Sequence, residues 1–397
     1  MKHFGLALVA SLGTVTPAPA IVAPQPSPSS AVTPPADQFA ANLAPIPIAM
    51  LVDIGSGQTL FARRERQQFL PASVTKTMTA YLAFELIAQG KLRLDQKFAV
   101  TPEIYKAWHG QGTSMNLGPG EWITVADLLH GLMTVSANDA AIVLATGYAG
   151  SIQTWCALMN AEARRLGMAD SAFGTPNGWP DEGVTRVSAR DLVKLGEAMI
   201  ARHPDLYREF IGKKRLVWNG MQAVNHDPLI GTVPGADGIK TGYFREAGYN
   251  YLGTAARGGR RLMMVIGGAP SGPDRFHAAR ALIEWGFANW RSRPLFASGE
   301  MIGSAQVQQG AAREVSLVAP FPVEALEPSA AGNRPIRLTI RYDGPLQAPI
   351  AKGAPVATLE IAAAGMPPAA VTLIAAQGVA RAGPLDRLRN GLLGLIP

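Results

Sequence analysis

The 397-residue sequence predicts an α/β domain with an antiparallel sheet assembled from distant parts of the chain, followed by a small all-β domain. Three observations predict it. Strand-like runs stand at residues 48–64 and again at 236–269, with a mostly helical stretch between them. After residue 293 the pattern changes to short alternating strands separated by Gly and Pro. Finally, 48% of the residues are hydrophobic and only 16% charged, enough to build two cores.

The elements follow in chain order. Residues 1–20, "MKHFGLALVASLGTVTPAPA", have a short basic start, an apolar stretch and small residues at the end, the pattern of a cleaved secretion signal. The apolar part is too short and interrupted for a membrane span. Residues 21–44 read as a Pro/Ser-rich linker. The main domain is placed at 45–293. It opens with two strands around Gly55-Ser56-Gly57 in "IAMLVDIGSGQTLFARR". "PASVTKTMTAYLAFEL" is a buried helix that Gly90 stops. Thr124 is a candidate cap for the next helical segments. Cys156, the single cysteine, lies on an amphipathic helix and reads as a buried structural thiol. "ADGIKTGYFREAGYNYLGTAARGGRRLMMVIGGAP" fits three strands, with turns at Arg245–Gly248 and Arg257–Arg260. "DRFHAARALIEWGFANW" closes the domain as a helix. The all-β domain is placed at 294–378 and reads as a spacer or packing module. In the tail, 384–397, Leu385, Leu388, Leu392, Leu393 and Leu395 nearly share one helical face, which suits a peripheral membrane contact or ordinary docking equally.

The net charge of +7 suits an anionic surface or polymer. Nucleic acid is excluded as a partner: Lys and Arg are scattered, with no aromatic-interleaved basic stripe and no binding motif. No metal or other cofactor is implied, because His109, His130, His203, His226 and His277 lack ligand-like spacing.

Three polar clusters carry candidate chemistry, and each has a plain structural alternative. In Ser73-Val74-Thr75-Lys76, the lysine returns over the serine one helical turn later. A partly neutral amine there accepts the hydroxyl proton and makes Ser73 a nucleophile. Free N–H groups at the helix start add stabilisation for developing negative charge. Alternatively, Ser73 caps the helix and Lys76 snorkels. Ser136-Ala137-Asn138 interrupts an apolar segment. It is either a proton relay (Ser136) with a polar contact to Lys76 and substrate (Asn138), or a helix break with a new cap. Lys240-Thr241-Gly242 begins a strand. Lys240 and Thr241 suit a carboxylate, Lys240 also depresses the pKa of Lys76, and Gly242 keeps the strand edge open for a substrate backbone. Otherwise Lys240 is an ordinary edge lysine.

The order SxxK, SxN, KTG resembles that of the penicillin-binding proteins and related β-lactamases. Together with "GEWITVADLLHGLMTVSANDAAIVLA", "MNAEARRLGM", "FGTPNGWP" and "VNHDPLI", the chain resembles the D-alanyl-D-alanine carboxypeptidases of the serine peptidase type. The resemblance implies a penicillin-binding/β-lactamase-like transpeptidase domain followed by the small all-β domain. It implies that Ser73 is acylated, Lys76 is its base, and Ser136 and Asn138 complete the proton network and contact substrate. Lys240, Thr241 and, less directly, Arg275 in "SGPDRF" would receive the terminal carboxylate. The N–H groups of Ser73 and Tyr243 would form the oxyanion hole. The substrate implied is the peptidoglycan stem peptide, with β-lactams as inhibitors, in an exported protein of the periplasm or the outer face of the inner membrane. Ala137 departs from the glycine common in the family. Two rival readings remain at this level. A serine β-lactamase would share the clusters, but the class A arrangement adds a glutamate from a separate loop, for which this sequence offers no equivalent. A non-catalytic cell-wall scaffold would keep the layout without using it.

Overall fold

The computed structural model describes residues 36–328, 335–363 and 368–384. The residues read as a secretion signal, the first part of the expected linker and the tail beyond Pro384 lie outside the described residues. The linker reading is corrected at its end. Ala36–Leu43 form helix α1, because the Pro- and Ser-rich composition stops at Pro35 and "ADQFAANL" is amphipathic. Its Phe39 stacks on Trp285 with ring centroids 5.0 Å apart.

The expected hairpin follows as β1 (Ile48–Asp53) and β2 (Gln58–Arg63). A 3₁₀ turn at Ala72–Thr75 leads into α2 (Lys76–Ala88). The helical middle continues through β3 (Lys97–Ala99), α3 (Pro102–Trp108), β4 (Trp122–Thr124), α4 (Val125–Thr134), α5 (Asn138–Ala149), α6 (Ile152–Arg165), α7 (Ala189–Arg202) and α8 (Pro204–Phe210). Thr124 caps α4 as expected, accepting from the Asp127 N–H. A short ribbon, β5 (Arg215–Trp218) and β6 (Met221–Val224), precedes β7 (Ala236–Phe244), β8 (Gly248–Arg257), β9 (Arg260–Ala269) and α9 (Gly272–Asn289).

The sheet order is β2-β1-β9-β8-β7, antiparallel throughout. The N-terminal hairpin therefore joins strands some two hundred residues later, and β7 is left at the edge. The period-2 alternation of strands makes both faces apolar. From β1, Ile48, Met50 and Val52 enter the core shared with the helical middle, while Ala49 and Leu51 enter the core under α1 and α9. From β9, Met263 and Val265 go one way and Leu262, Met264 and Ile266 the other. A sheet covered on both faces holds its edge strand rigidly, which matters for the residues at that edge. Helix α2 is buried along its length from Lys76 to Leu86, its polar Lys76, Thr77, Thr79 and Glu85 included.

The all-β domain starts at β10 (Trp290–Phe296), a few residues earlier than the composition suggests. Trp290–Arg293 already pair with β13 (Val323–Pro328), and their basic, Ser-containing sequence hides the strand. The other strands are β11 (Met301–Gln308), β12 (Glu314–Val318), β14 (Ile336–Arg341), β15 (Leu346–Gln347), β16 (Pro355–Ala363) and β17 (Ala369–Ala375). They form one six-stranded sheet around their own core. The two domains interlock at the β1–β2 turn. Gly57 has φ +67°, and a Cβ there would lie 2.0 Å from the Ala370 carbonyl oxygen, so only glycine fits.

A second junction lies at the far end of α2. Buried Glu85 accepts from Arg202 through both carboxylate oxygens (2.6 and 2.9 Å), from the Tyr81 hydroxyl (2.7 Å), and lies 2.9 Å from His203 Nε2. Arg202 also donates to the Gly353 carbonyl of the all-β domain at 2.8 Å. Burial alone would push the Glu85 carboxyl up. The hydrogen bonds from His203 and Arg202 outweigh it and hold the group well below the usual carboxylate range. Removing this carboxylate strands buried cations. Glu85→Ala is expected to cost about 3–5 kcal/mol in urea unfolding; a loss below about 1 kcal/mol would show that the network is incidental.

Candidate active site

The Ser73 side chain caps neither the 3₁₀ turn nor α2. Lys76 does not snorkel, being fully buried. Both structural alternatives for this cluster are therefore set aside. The Lys76 Nζ lies 2.8 Å from each of three oxygens: Ser73 Oγ, Asn138 Oδ1 and the Asn177 carbonyl. An ammonium donates to all three. A neutral amine has only two N–H groups, which Asn138 and Asn177 occupy, leaving its lone pair for the Ser73 hydroxyl proton. The surroundings move the balance towards that neutral form. Burial lowers the Lys76 pKa well below its ordinary value, the charge on Lys240 lowers it further, and Asp139 opposes.

Three loops make this arrangement. Ala72 and Ser136 both sit in the left-handed region, at φ 50° and 63°, a strained conformation for residues with a Cβ. Ser136 is held by its carbonyl, which accepts from Thr113 Oγ1 at 2.7 Å. Ser136 is buried two residues before Asn138, but the three contacts of Lys76 do not include it. Asn138 begins α5, and its Nδ2 donates to the Gln111 carbonyl at 2.9 Å, which turns Oδ1 towards Lys76. Asp139 was not among the sequence candidates. It accepts from Ser114 Oγ and the Met115 and Leu117 N–H groups, pinning the 114–117 loop to the start of α5. The signal available was an aspartate in the first helical turn directly after the SxN cluster.

Strand β7 supplies the other wall. Lys240 and Thr241 are buried, and Lys240 Nζ donates to the Thr241 carbonyl at 2.9 Å. Burial pushes the Lys240 pKa down to about 7, with Arg275 lowering it and Asp227 opposing. Burial, Lys240 and Arg275 also lower the His226 pKa. Arg275, on α9, lies over the Tyr249 ring at 5.5 Å, and its buried Nε has no hydrogen-bond partner among the described residues. Tyr249 stacks on the half-exposed Tyr243 at 4.1 Å. The cations of β7 and α9 thus converge where little negative charge answers them, a setting that suits a carboxylate. Asp227 was also missed. It accepts from the Tyr251 hydroxyl (2.8 Å) and the Leu229 N–H (2.9 Å), so its own charge is already engaged.

The expectation for Gly242 is corrected. Its missing side chain faces the 3₁₀ turn and not an open edge. A Cβ would lie 2.4 Å from the Pro71 carbonyl oxygen and 2.9 Å from the Ser73 nitrogen. Glycine is what lets the edge strand close onto the backbone that carries Ser73. Cys156 is buried as expected, and burial pushes its thiol up to about 11.

This combination, an SxxK helix start beside a KTG edge strand and an SxN loop, defines a serine acyl-transfer site of the penicillin-binding type. The chain belongs to the D-alanyl-D-alanine carboxypeptidase family, whose model matches residues 33–271, and residues 290–381 match that of the penicillin-binding protein 5 C-terminal domain. The D-alanyl-D-alanine carboxypeptidase DacD of Salmonella typhimurium is 34% identical over 291 residues, 70% of this chain and 73% of that one. Among solved structures, penicillin-binding protein 5 from Haemophilus influenzae superimposes with a TM-score of 0.67 at 28% identity, covering 85% of this chain and 98% of that one. Penicillin-binding protein D2 from Listeria monocytogenes in the ampicillin-bound form gives 0.56 at 29% identity, over 61% of this chain and 97% of that one.

A methyl group at position 242 must push β7 away from Ser73. Gly242→Ala is expected to slow acylation by a labelled penicillin about 100-fold, the scale of a misplacement near 1 Å. A rate equal to the wild type's would show that the contact is not needed.

Proposed function

We propose that this protein removes the terminal D-alanine from peptidoglycan stem peptides through an acyl-enzyme on Ser73, and that β-lactams acylate the same serine. The observation that carries the reading is the buried Lys76 amine, bonded to Ser73 Oγ, with a pKa that burial and Lys240 lower. Ser73 Oγ attacks the carbonyl between the last two D-alanines, and its proton passes to Lys76. The oxyanion faces the N–H groups of Ser73 and Tyr243, donors that bind the tetrahedral state better than the planar carbonyl. Lys240 and Thr241, with Arg275 behind them, take the terminal carboxylate. Asn138 orients Lys76 and contacts the substrate amide. D-alanine leaves with a proton delivered through Ser136, and water then releases the acyl group. The substrate lies outside the cytoplasmic membrane, so the reading requires export, in keeping with the N-terminal sequence.

Two experiments test it. Wild-type protein should release D-alanine from a D-Ala-D-Ala peptide and form one stoichiometric adduct with labelled penicillin, while Ser73→Ala should do neither. An adduct on Ser73→Ala places the nucleophile elsewhere, and no adduct or release by the wild type sinks the enzyme reading. The second experiment concerns pH. Lys240 in the free protein carries its charge below about 7 and loses it as the pH rises. The kcat/KM for a carboxylate-ended substrate should therefore fall above neutrality. In Lys240→Arg, whose guanidinium stays charged, that fall should vanish. A fall at the same pH in both proteins would assign it to another group.

A further inference from the structure

A groove of about 1110 Å³ lies between the two domains, beside the Arg202 junction. Helix α7 and the end of α6 form one wall, and β14, β16 and β17 of the all-β domain form the other. Much of its lining is apolar: Leu166, Ala198, Ala201, Ile340, Val356 and Ile374 all face it. Four cations line it as well, and each has an acid of its own. Arg165 pairs with Glu85 and Glu162, Lys194 with Asp191, Arg202 with Glu85, and Arg341 with Glu360. Glu197 is the exception. It lines the groove partly buried, and among the described residues its carboxylate has no hydrogen bond and no ion pair. Burial pushes it up to about 7, and no cation answers it. An acid left in this state gains from any cation brought to it.

The chain itself supplies a segment that fits. The Ala382 N–H donates to the Gln309 carbonyl at 2.9 Å and Arg381 Nε to the Ala348 carbonyl at 3.4 Å, so the chain leaves the all-β domain beside β15. Leu346 of β15 lines the groove, two residues from Ala348, or about 7 Å along a strand. Residues 385–397 follow Pro384 and lie outside the described residues. A segment of that length reaches about 20 Å as a helix and about 43 Å extended, enough to enter the groove. Its sequence, "LDRLRNGLLGLIP", has helical periodicity in Leu385, Leu388, Leu392 and Leu395, with Arg389 at the border of that face and Arg387 opposite it.

We infer that the groove between the domains is the docking site of the chain's own tail, residues 385–397, with the leucines against Ala198, Ala201 and Val356 and Arg389 paired with Glu197. The match is one of charge as well as of apolar surface, because the unanswered acid of the groove meets a basic residue at the edge of an apolar face. Docked, the tail fastens α7 to the all-β domain. It also withholds its leucines from a membrane, the other place its sequence suits.

The test is cross-linking in the full chain with a short bismaleimide, to which the buried native Cys156 is closed. Ala201→Cys with Leu392→Cys puts one thiol in the groove and one in the tail. Lys106→Cys with Leu392→Cys, on the exposed face of α3, is the control. Circular dichroism checks that each variant is folded. The groove pair should close within one molecule, at a rate independent of protein concentration and about tenfold above the control, the gain expected of a docked over a merely tethered segment. Glu197→Gln should slow that closure about fivefold, the scale of one partly exposed ion pair. The charge swap Glu197→Arg with Arg389→Glu should restore it. Equal rates for the groove and control pairs overturn the inference, and recovery of the tail on phosphatidylglycerol vesicles would then assign it to a membrane. Cross-links formed only between molecules give the groove to a second copy and overturn it too. So does a closure rate that Glu197→Gln leaves unchanged.

Discussion

The molecule depends on burying one lysine so that its pKa falls, and on aiming it at one hydroxyl. An ammonium is stable in water, so a reactive amine must be taken out of water and placed among other cations. Lys76 meets both conditions at the start of a helix that is itself core. That position has consequences for the rest of the chain. The helix must be buried all round, the loops around its start must supply hydrogen-bond partners, and no carboxylate can sit close enough to recharge the amine. Asp139 is the acid that opposes this shift, and its oxygens are occupied by Ser114 and three backbone N–H groups.

The sheet serves the same constraint from the other side. Its edge strand carries Lys240, whose charge disfavours charge on Lys76, and closes to backbone contact with the turn that holds Ser73. Edge strands are normally mobile or blunted. Here β7 is steadied by a sheet packed on both faces and by the chain of contacts from Tyr243 through Tyr249 to Arg275 on α9. Left-handed backbone at Ala72 and Ser136 shows where this closeness is compensated by strain. The all-β domain makes its described contacts with the main domain elsewhere. It grips the main domain at the β1–β2 turn and through Arg202 at the far end of α2, so it holds the scaffold and not the chemistry.

Electrostatics divides the site along β7. The end towards Lys240 and Arg275 is cationic, while the end beyond Tyr243 carries Arg245 and Glu246, which pair with each other. A substrate with a terminal carboxylate matches the cationic end. Orientation is therefore set before the reacting atoms meet, which is the condition for a serine attack to be productive.

Several features were readable in the sequence because they are local. The hairpin at 48–63, the strands from 236 to 269 with their two turns, the helix of Ser73 and Lys76, the cap at Thr124 and the order of the three polar clusters all follow from residue type and spacing. What the sequence could not decide is what depends on residues meeting across the fold. The third partner of Lys76 is the Asn177 carbonyl, a backbone group with no sequence signature. Asp139 and Asp227 look like any other acids until their partners are known. Gly242 reads as an open strand edge, yet its role comes from Pro71 and Ser73, which pack against it only after folding. The helix at Ala36–Leu43 is hidden by the composition before it and shown by its stacking on Trp285. By itself the sequence determined which groups are available and on which local elements they sit. Only the tertiary structure decided which lysine is buried beside another cation and so has its pKa lowered, because desolvation and charge–charge repulsion are properties of a packed neighbourhood.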